Sequence, residues 1–136
     1  MTGDIPLPPA PYVPGRTPRH PEDWFDQLKA DAARLERSTA FRAGLVYFDA
    51  GYFWECHEVL EAVWMAAPDP SAERDFVQAI IQLANARLKA RMERPRAVLR
   101  LCDIVDGLLS GLPDRIMGQD VPDWRAATAR TRAAAV

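Results

Sequence analysis

Histidine and cysteine, the side chains most used for metal and thiol chemistry, are scarce: two of each in 136 residues. Two isolated cysteines, Cys56 and Cys102, make neither a disulfide framework nor a four-ligand zinc site, and both read as small buried apolar side chains. No apolar run approaches the ~20 residues of a membrane span, so no membrane partner is expected. Charge of one sign is lacking too: 17 basic residues face 19 acidic ones, for a net charge of -2. That balance gives no global pull toward nucleic acid or an anionic surface. The opening MTGDIPLPPAPYVPG has neither a basic leader nor an apolar segment. It is unlike a secretory signal, and the expected location is the cytoplasm.

What is present is an ordinary globular composition, 49% hydrophobic and 26% charged, in a length that suits one domain with a single core. Residues 1–21 hold prolines at 6, 8, 9, 11, 14, 18 and 21, a density that cannot propagate helix and favours an extended arm. Such an arm is expected to lie over the surface and to add little stability. Helical patterning begins at Pro21 and runs through Trp24, Leu28, Ala32 and Leu35. It restarts behind the Ser38-Thr39 cap signal, pauses at Asp49-Ala50-Gly51, and continues from Tyr52 to Ala67. Two further helices are predicted, one from Ser71 to about Arg94 and one from Pro95 to Gly111. The expected layout is an arm over 1–21, a helical domain over 22–113 and a tail over 114–136, the tail anchored at most by Trp124. No strand alternation of useful length occurs, and the fold class is an all-α bundle around a central antiparallel helix hairpin.

The segment FDAGYFWECHEVLEAVWM carries the chemistry. At about 100° per residue, Phe53, His57, Leu60, Glu61 and Trp64 fall within one arc of roughly 100°. Two ionisable groups thus sit on the bulkiest apolar face of the helix, where burial requires partners. His57 and Glu61, four apart, can touch, and Glu55 and Glu58 bring the total to three carboxylates and one imidazole. On the next helix Gln78, Gln82, Asn85 and Lys89 form a polar stripe at intervals of four, three and four. Across a short hairpin this stripe is expected to meet His57, Glu58 and Glu61 as hydrogen-bond partners and counter-charge.

The run Gly51-Tyr52-Phe53-Trp54-Glu55-Cys56-His57-Glu58-Val59-Leu60-Glu61 through Trp64, followed by Arg74-Asp75-Phe76-Val77-Gln78-Ala79-Ile80-Ile81-Gln82-Leu83-Ala84, resembles the family known as domain of unknown function 309. The resemblance covers approximately residues 41–110. It implies a small α-helical fold with no established activity, and it marks Glu55, His57, Glu58, Glu61, Trp64, Gln78 and Gln82 as motif positions. After Ala84 the chain departs from the pattern: Asn85-Ala86-Arg87-Leu88-Lys89 replaces a stretch that often carries histidines.

Two function classes follow. His57-Glu58-Val59-Leu60-Glu61 fails as a zinc-protease helix because Glu61 stands where the second histidine belongs, and the set is too small for a di-iron bundle. A mononuclear divalent site of His57, Glu58 and Glu61, suited to Zn, Mn or Fe, is one reading, as a metal-binding protein or metal-dependent hydrolase. The leading expectation is a structural or interaction module, with Trp54 and Trp64 as aromatic contacts and a homo-oligomer as one partner. Arg87, Lys89, Arg91, Arg94, Arg96 and Arg100 read as a solvated helix end rather than a nucleic-acid surface.

Overall fold

A computed structural model describes residues 5–135; the first four residues of the expected arm and the last of the expected tail lie outside them. The elements in order are α1 (Asp26–Lys29), a 3-10 helix (Ala32–Arg37), α2 (Thr39–Ala50), α3 (Phe53–Ala66), α4 (Ala72–Arg91), α5 (Pro95–Leu109), the two-residue strands β1 (Arg115–Ile116) and β2 (Gln119–Asp120), and α6 (Val121–Ala134). The all-α bundle is thus observed.

Local chemistry sets the helix ends. The Phe41 amide donates to Ser38 Oγ at 2.9 Å and the Arg74 amide to Ser71 Oγ at 3.0 Å, each satisfying a donor the first turn would leave unpaired. Pro95 opens α5, where its missing N–H costs nothing. Gly51 ends α2 at φ 85°, a left-handed cap that favours glycine. A Cβ there would also stand 2.7 Å from Arg91 Nη2, the movable end of a long side chain, so it is the positive φ that calls for glycine.

The single helix expected from Trp24 to Leu35 is instead two short pieces, because Asp31 turns its side chain to a different task. Its carboxylate accepts the Thr39 amide at 2.9 and 2.8 Å and the Thr39 hydroxyl at 3.0 Å, competing with the backbone ladder as short acidic side chains do. Partial burial pushes the Asp31 carboxyl up, but the bonds from Thr39 outweigh it and leave the value lowered. Asp31→Ala is therefore expected to cost about 1 kcal/mol at neutral pH, the scale of a lost helix cap. A folded-state value below the unfolded one stabilises at higher pH and ceases to do so as pH falls through the folded value. Denaturation curves of wild type and variant should accordingly converge in acid, and a gap that persists unchanged there would disprove the assignment.

α3 and α4 form the central hairpin, with α2 packed on α3 and α5 on α4. α2 and α3 cross closely: a Cβ built on Gly44 would lie 2.4 Å from Leu60 Cδ2 and 2.5 Å from Leu60 Cγ. Leu60 is fully buried, so it has nowhere to move without spreading the helices. In Gly44→Ala, overpacking of about 1–3 kcal/mol opposes a helix-propensity gain of at most about 1 kcal/mol. The melting temperature should fall; a rise would show that the crossing relaxes.

The expectation that the C-terminal segment is held at most by Trp124 is corrected. Residues Val121, Ala127, Thr128 and Thr131 of α6 are buried, and Trp124 packs edge-on against Phe48 and Phe76 at 5.0 and 6.2 Å between ring centroids. Alanine and threonine let α6 approach α5 closely, which a search for large apolar residues overlooks. The proline-rich arm is also seated: Pro8 and Val13 are buried, and Val13 belongs to the main core cluster.

Candidate functional site

α3 is rotated relative to the sequence expectation. Its buried residues are Phe53, Glu55, Cys56, Val59, Leu60 and Val63, an arc centred on Cys56, Val59 and Val63. The line His57, Glu61, Met65 runs along the outer face, ending in Met65 at 68% exposure. His57 is consequently only part-buried and Glu61 exposed, with Nε2 and Oε2 3.5 Å apart in an i,i+4 pair. The expectation that both are buried is overturned. Glu58 turns the other way and takes Lys29 Nζ at 2.7 Å. Trp64 is half-buried, its ring covered by the Arg74 guanidinium at 3.9 Å from the centroid.

The polar stripe of α4 does not close on these groups. Gln78, Gln82, Asn85 and Lys89 are half-buried. Asn85 Nδ2 lies 3.4 Å from Gln82 Oε1, and among the described residues no hydrogen bond joins the stripe to His57, Glu58 or Glu61. Nor do three histidine, cysteine or acidic side chains converge as a metal site among the described residues. The expected set of His57, Glu58 and Glu61 is divided between an outer ion pair and a lysine.

The buried carboxylate is Glu55, at 0% exposure, and its partners come from the arm. Glu55 Oε2 accepts the Tyr12 amide at 2.7 Å and lies 2.5 Å from His20 Nε2. The His20 side chain is only 8% exposed and is enclosed by Phe25, Trp24 and Trp54 at ring-centroid distances of 5.8, 6.4 and 6.2 Å. Tyr12 meets Trp54 edge-on at 5.1 Å. Two further donors from the helices hold the arm by its proline carbonyls: Tyr47 Oη to Pro6 O at 2.8 Å and Tyr52 Oη to Pro8 O at 2.9 Å. Burial, opposed by the Trp24 side chain and reinforced by the Glu55 charge, pushes the Tyr47 phenol up to about 12, which keeps it protonated and donating. The other oxygen, Glu55 Oε1, is buried with no hydrogen-bond partner among the described residues.

These contacts define a shelf of Trp24, Phe25, Tyr47, Tyr52 and Trp54 on which the proline-rich segment lies. Beside His20, Tyr12, Trp54 and Glu58 border a small cleft of about 140 Å³. Arg16 fastens the far end of the arm, donating to the last-turn carbonyl of Arg91 at 2.6 Å and pairing with Glu93 at 3.0 Å. Thiol chemistry is not part of the arrangement, since burial pushes both Cys56 and Cys102 up and away from the thiolate form.

Sequence reasoning included Glu55 in the polar cluster but set aside His20 as a residue of the arm, and missed Tyr12 and Arg16. A usable signal was present: Tyr12 and Val13 are amphipathic and apolar residues placed among prolines, and a surface strand has no need of them. No helix among the described residues is long and apolar enough to cross a membrane. Neither a curated protein nor a solved structure matches the chain. Residues 41–101, from α2 into α5, match the family model described as Domain of unknown function (DUF309).

Proposed function

We infer that the chain is a cytoplasmic helical interaction module whose aromatic shelf recognises a proline-rich segment, the resident one being its own arm. The observation that carries this reading is the pair of tyrosine hydroxyls, Tyr47 and Tyr52, donating to Pro6 O and Pro8 O. Proline carbonyls in an extended strand have no competing N–H of their own residue, and aromatic grooves elsewhere use this to read polyproline segments. Glu55 and His20 then act as the clasp that sets the register of the strand, rather than as a catalytic pair. An arm held on its own domain can equally be seated on a second copy, so a homo-oligomer formed by arm exchange is the partner this reading favours.

The test is complementation. A chain beginning at Arg16 is mixed with a peptide of residues 5–15, and the melting temperature should rise with peptide concentration and saturate, as selective binding to the folded state requires. A peptide with its prolines changed to alanine should not do this. No rise with the native peptide would refute the shelf as a recognition surface. The competing metal reading is separated by elemental analysis of protein purified without added metal. Stoichiometric Zn, Mn or Fe that disappears in His57→Ala would replace the interaction reading by a metal centre.

A further inference from the structure

Arg87 and Arg130 converge on one place between α4 and α6 with no anion to hold them. Arg87 is half-buried, and its guanidinium lies 4.6 Å from the ring centroid of Phe48 and 5.9 Å from that of Phe53. Its Nε donates to Thr131 Oγ1 at 3.0 Å, while the Thr131 hydroxyl donates in turn to Ala127 O at 2.8 Å. The plane of the guanidinium is thereby set by two rings and one hydrogen bond, before any ligand arrives. Among the described residues its two terminal nitrogens make no hydrogen bond and no ion pair within 4.0 Å, and the same holds for the whole Arg130 head group. Two clefts of about 280 Å³ each open beside this pair and share it. One is walled by Phe53, Ala90, Thr131 and Ala134 and has no acidic lining; the other carries Asp49 and Asp123 beside Trp124.

Like charges held close repel: burial and then the Arg130 charge lower the Arg87 guanidinium, and the Asp49 charge offsets this only in part, leaving it lowered. Such a pair is relieved by an anion that both can contact. A planar guanidinium with its edge exposed and its face stacked matches the two oxygens of a carboxylate or the edge of a phosphate. The remaining walls choose between them. The side lined by Phe53, Ala90 and Ala134 offers an apolar seat, and Asp49 and Asp123 across the pair oppose a second negative charge. We propose that the cleft between α4 and α6 is a binding site for a small organic monoanion, a carboxylate with an apolar body, gripped by Arg87 and Arg130. The site shares no residue with the arm-binding shelf, and it gives the basic stretch after Ala84 a role besides solvation.

Benzoate is the probe, with inorganic phosphate and sodium chloride at matched ionic strength as comparisons. Amide spectra of the full chain titrated with benzoate should show saturating shifts at Thr131 and Ala134, with no equivalent response to chloride. Arg130→Gln, an exposed position whose change leaves the core intact, should weaken benzoate binding about tenfold, as loss of one charge-assisted bond implies, while its unliganded melting temperature stays that of wild type. Arg87→Lys should weaken it as well, since an ammonium keeps the charge but loses the planar fork. Absence of saturation, equal affinity in Arg130→Gln, or phosphate binding more tightly than benzoate would each overturn the proposal.

Discussion

Glu55→Ala should lower the unfolding free energy by about 3–5 kcal/mol, the scale found when one member of a buried pair is removed. The variant leaves the His20 ring and the Tyr12 amide buried without their acceptor, and opens a void in the side of α3. A second readout follows from geometry. Arg16 and Arg19 lie in the arm and are exposed, so once the clasp is lost trypsin should cut after them at protein concentrations where wild type survives. Glu55→Gln keeps an acceptor for the Tyr12 amide and should fall between the two. Urea denaturation of the alanine variant showing a loss below about 1 kcal/mol, a magnitude typical of ordinary substitutions, would mean that Glu55 and the arm separate readily in the native protein.

Removal of residues 1–15 should be comparably severe, at least about 3 kcal/mol from the buried area of Val13 and Pro8 and from three stranded hydrogen-bonding groups. Those groups are the Tyr47 and Tyr52 hydroxyls and one bond to Glu55 Oε2. This expectation reverses the one drawn from proline content alone, by which the arm is dispensable. Proline density limits how many backbone amides a strand can donate; it does not limit how many carbonyls it can offer. A truncated chain that melts at the wild-type temperature would restore the earlier view.

The helices were legible because their signals are local. Ser38, Ser71, Pro95 and Gly51 act within one turn of where they stand, and apolar spacing needs only a window of the same helix. The face that α3 buries was less legible, for a physical reason. Weighting by bulk puts Phe53, Leu60 and Trp64 at the centre, yet α3 packs against both α2 and α4, so Cys56, Val59 and Val63 are buried as completely as Leu60 while Trp64 lies at the edge. Hence Cys56, Val59 and Val63 define the inward direction, and His57 and Glu61 turn outward. Glu55 was visible as a motif residue, but its partners are 35 and 43 positions earlier, in a segment whose composition argued against structure. Nothing in a periodic pattern links an imidazole in a proline-rich segment to a carboxylate four elements later. The same limit applies to α6, whose buried residues after Val121 are Ala127, Thr128 and Thr131, small or hydroxylated positions that carry almost no apolar amplitude.

The Arg16 contacts also fix an order of events. The arm leaves the ribosome first, but it has nothing to bind until Tyr47, Tyr52 and Glu55 have been made, and its outer turn waits for Arg91 and Glu93, 75 and 77 residues downstream. Contacts of such sequence separation carry the loop-closure cost that slows folding, so the helices collapse first and the arm seats last. Substitutions at Tyr12 or His20 should therefore leave the refolding rate nearly unchanged and accelerate unfolding. During synthesis the aromatic shelf stands open while the strand that will cover it is already dangling nearby, and in a polysome that strand has neighbours of its own kind within reach.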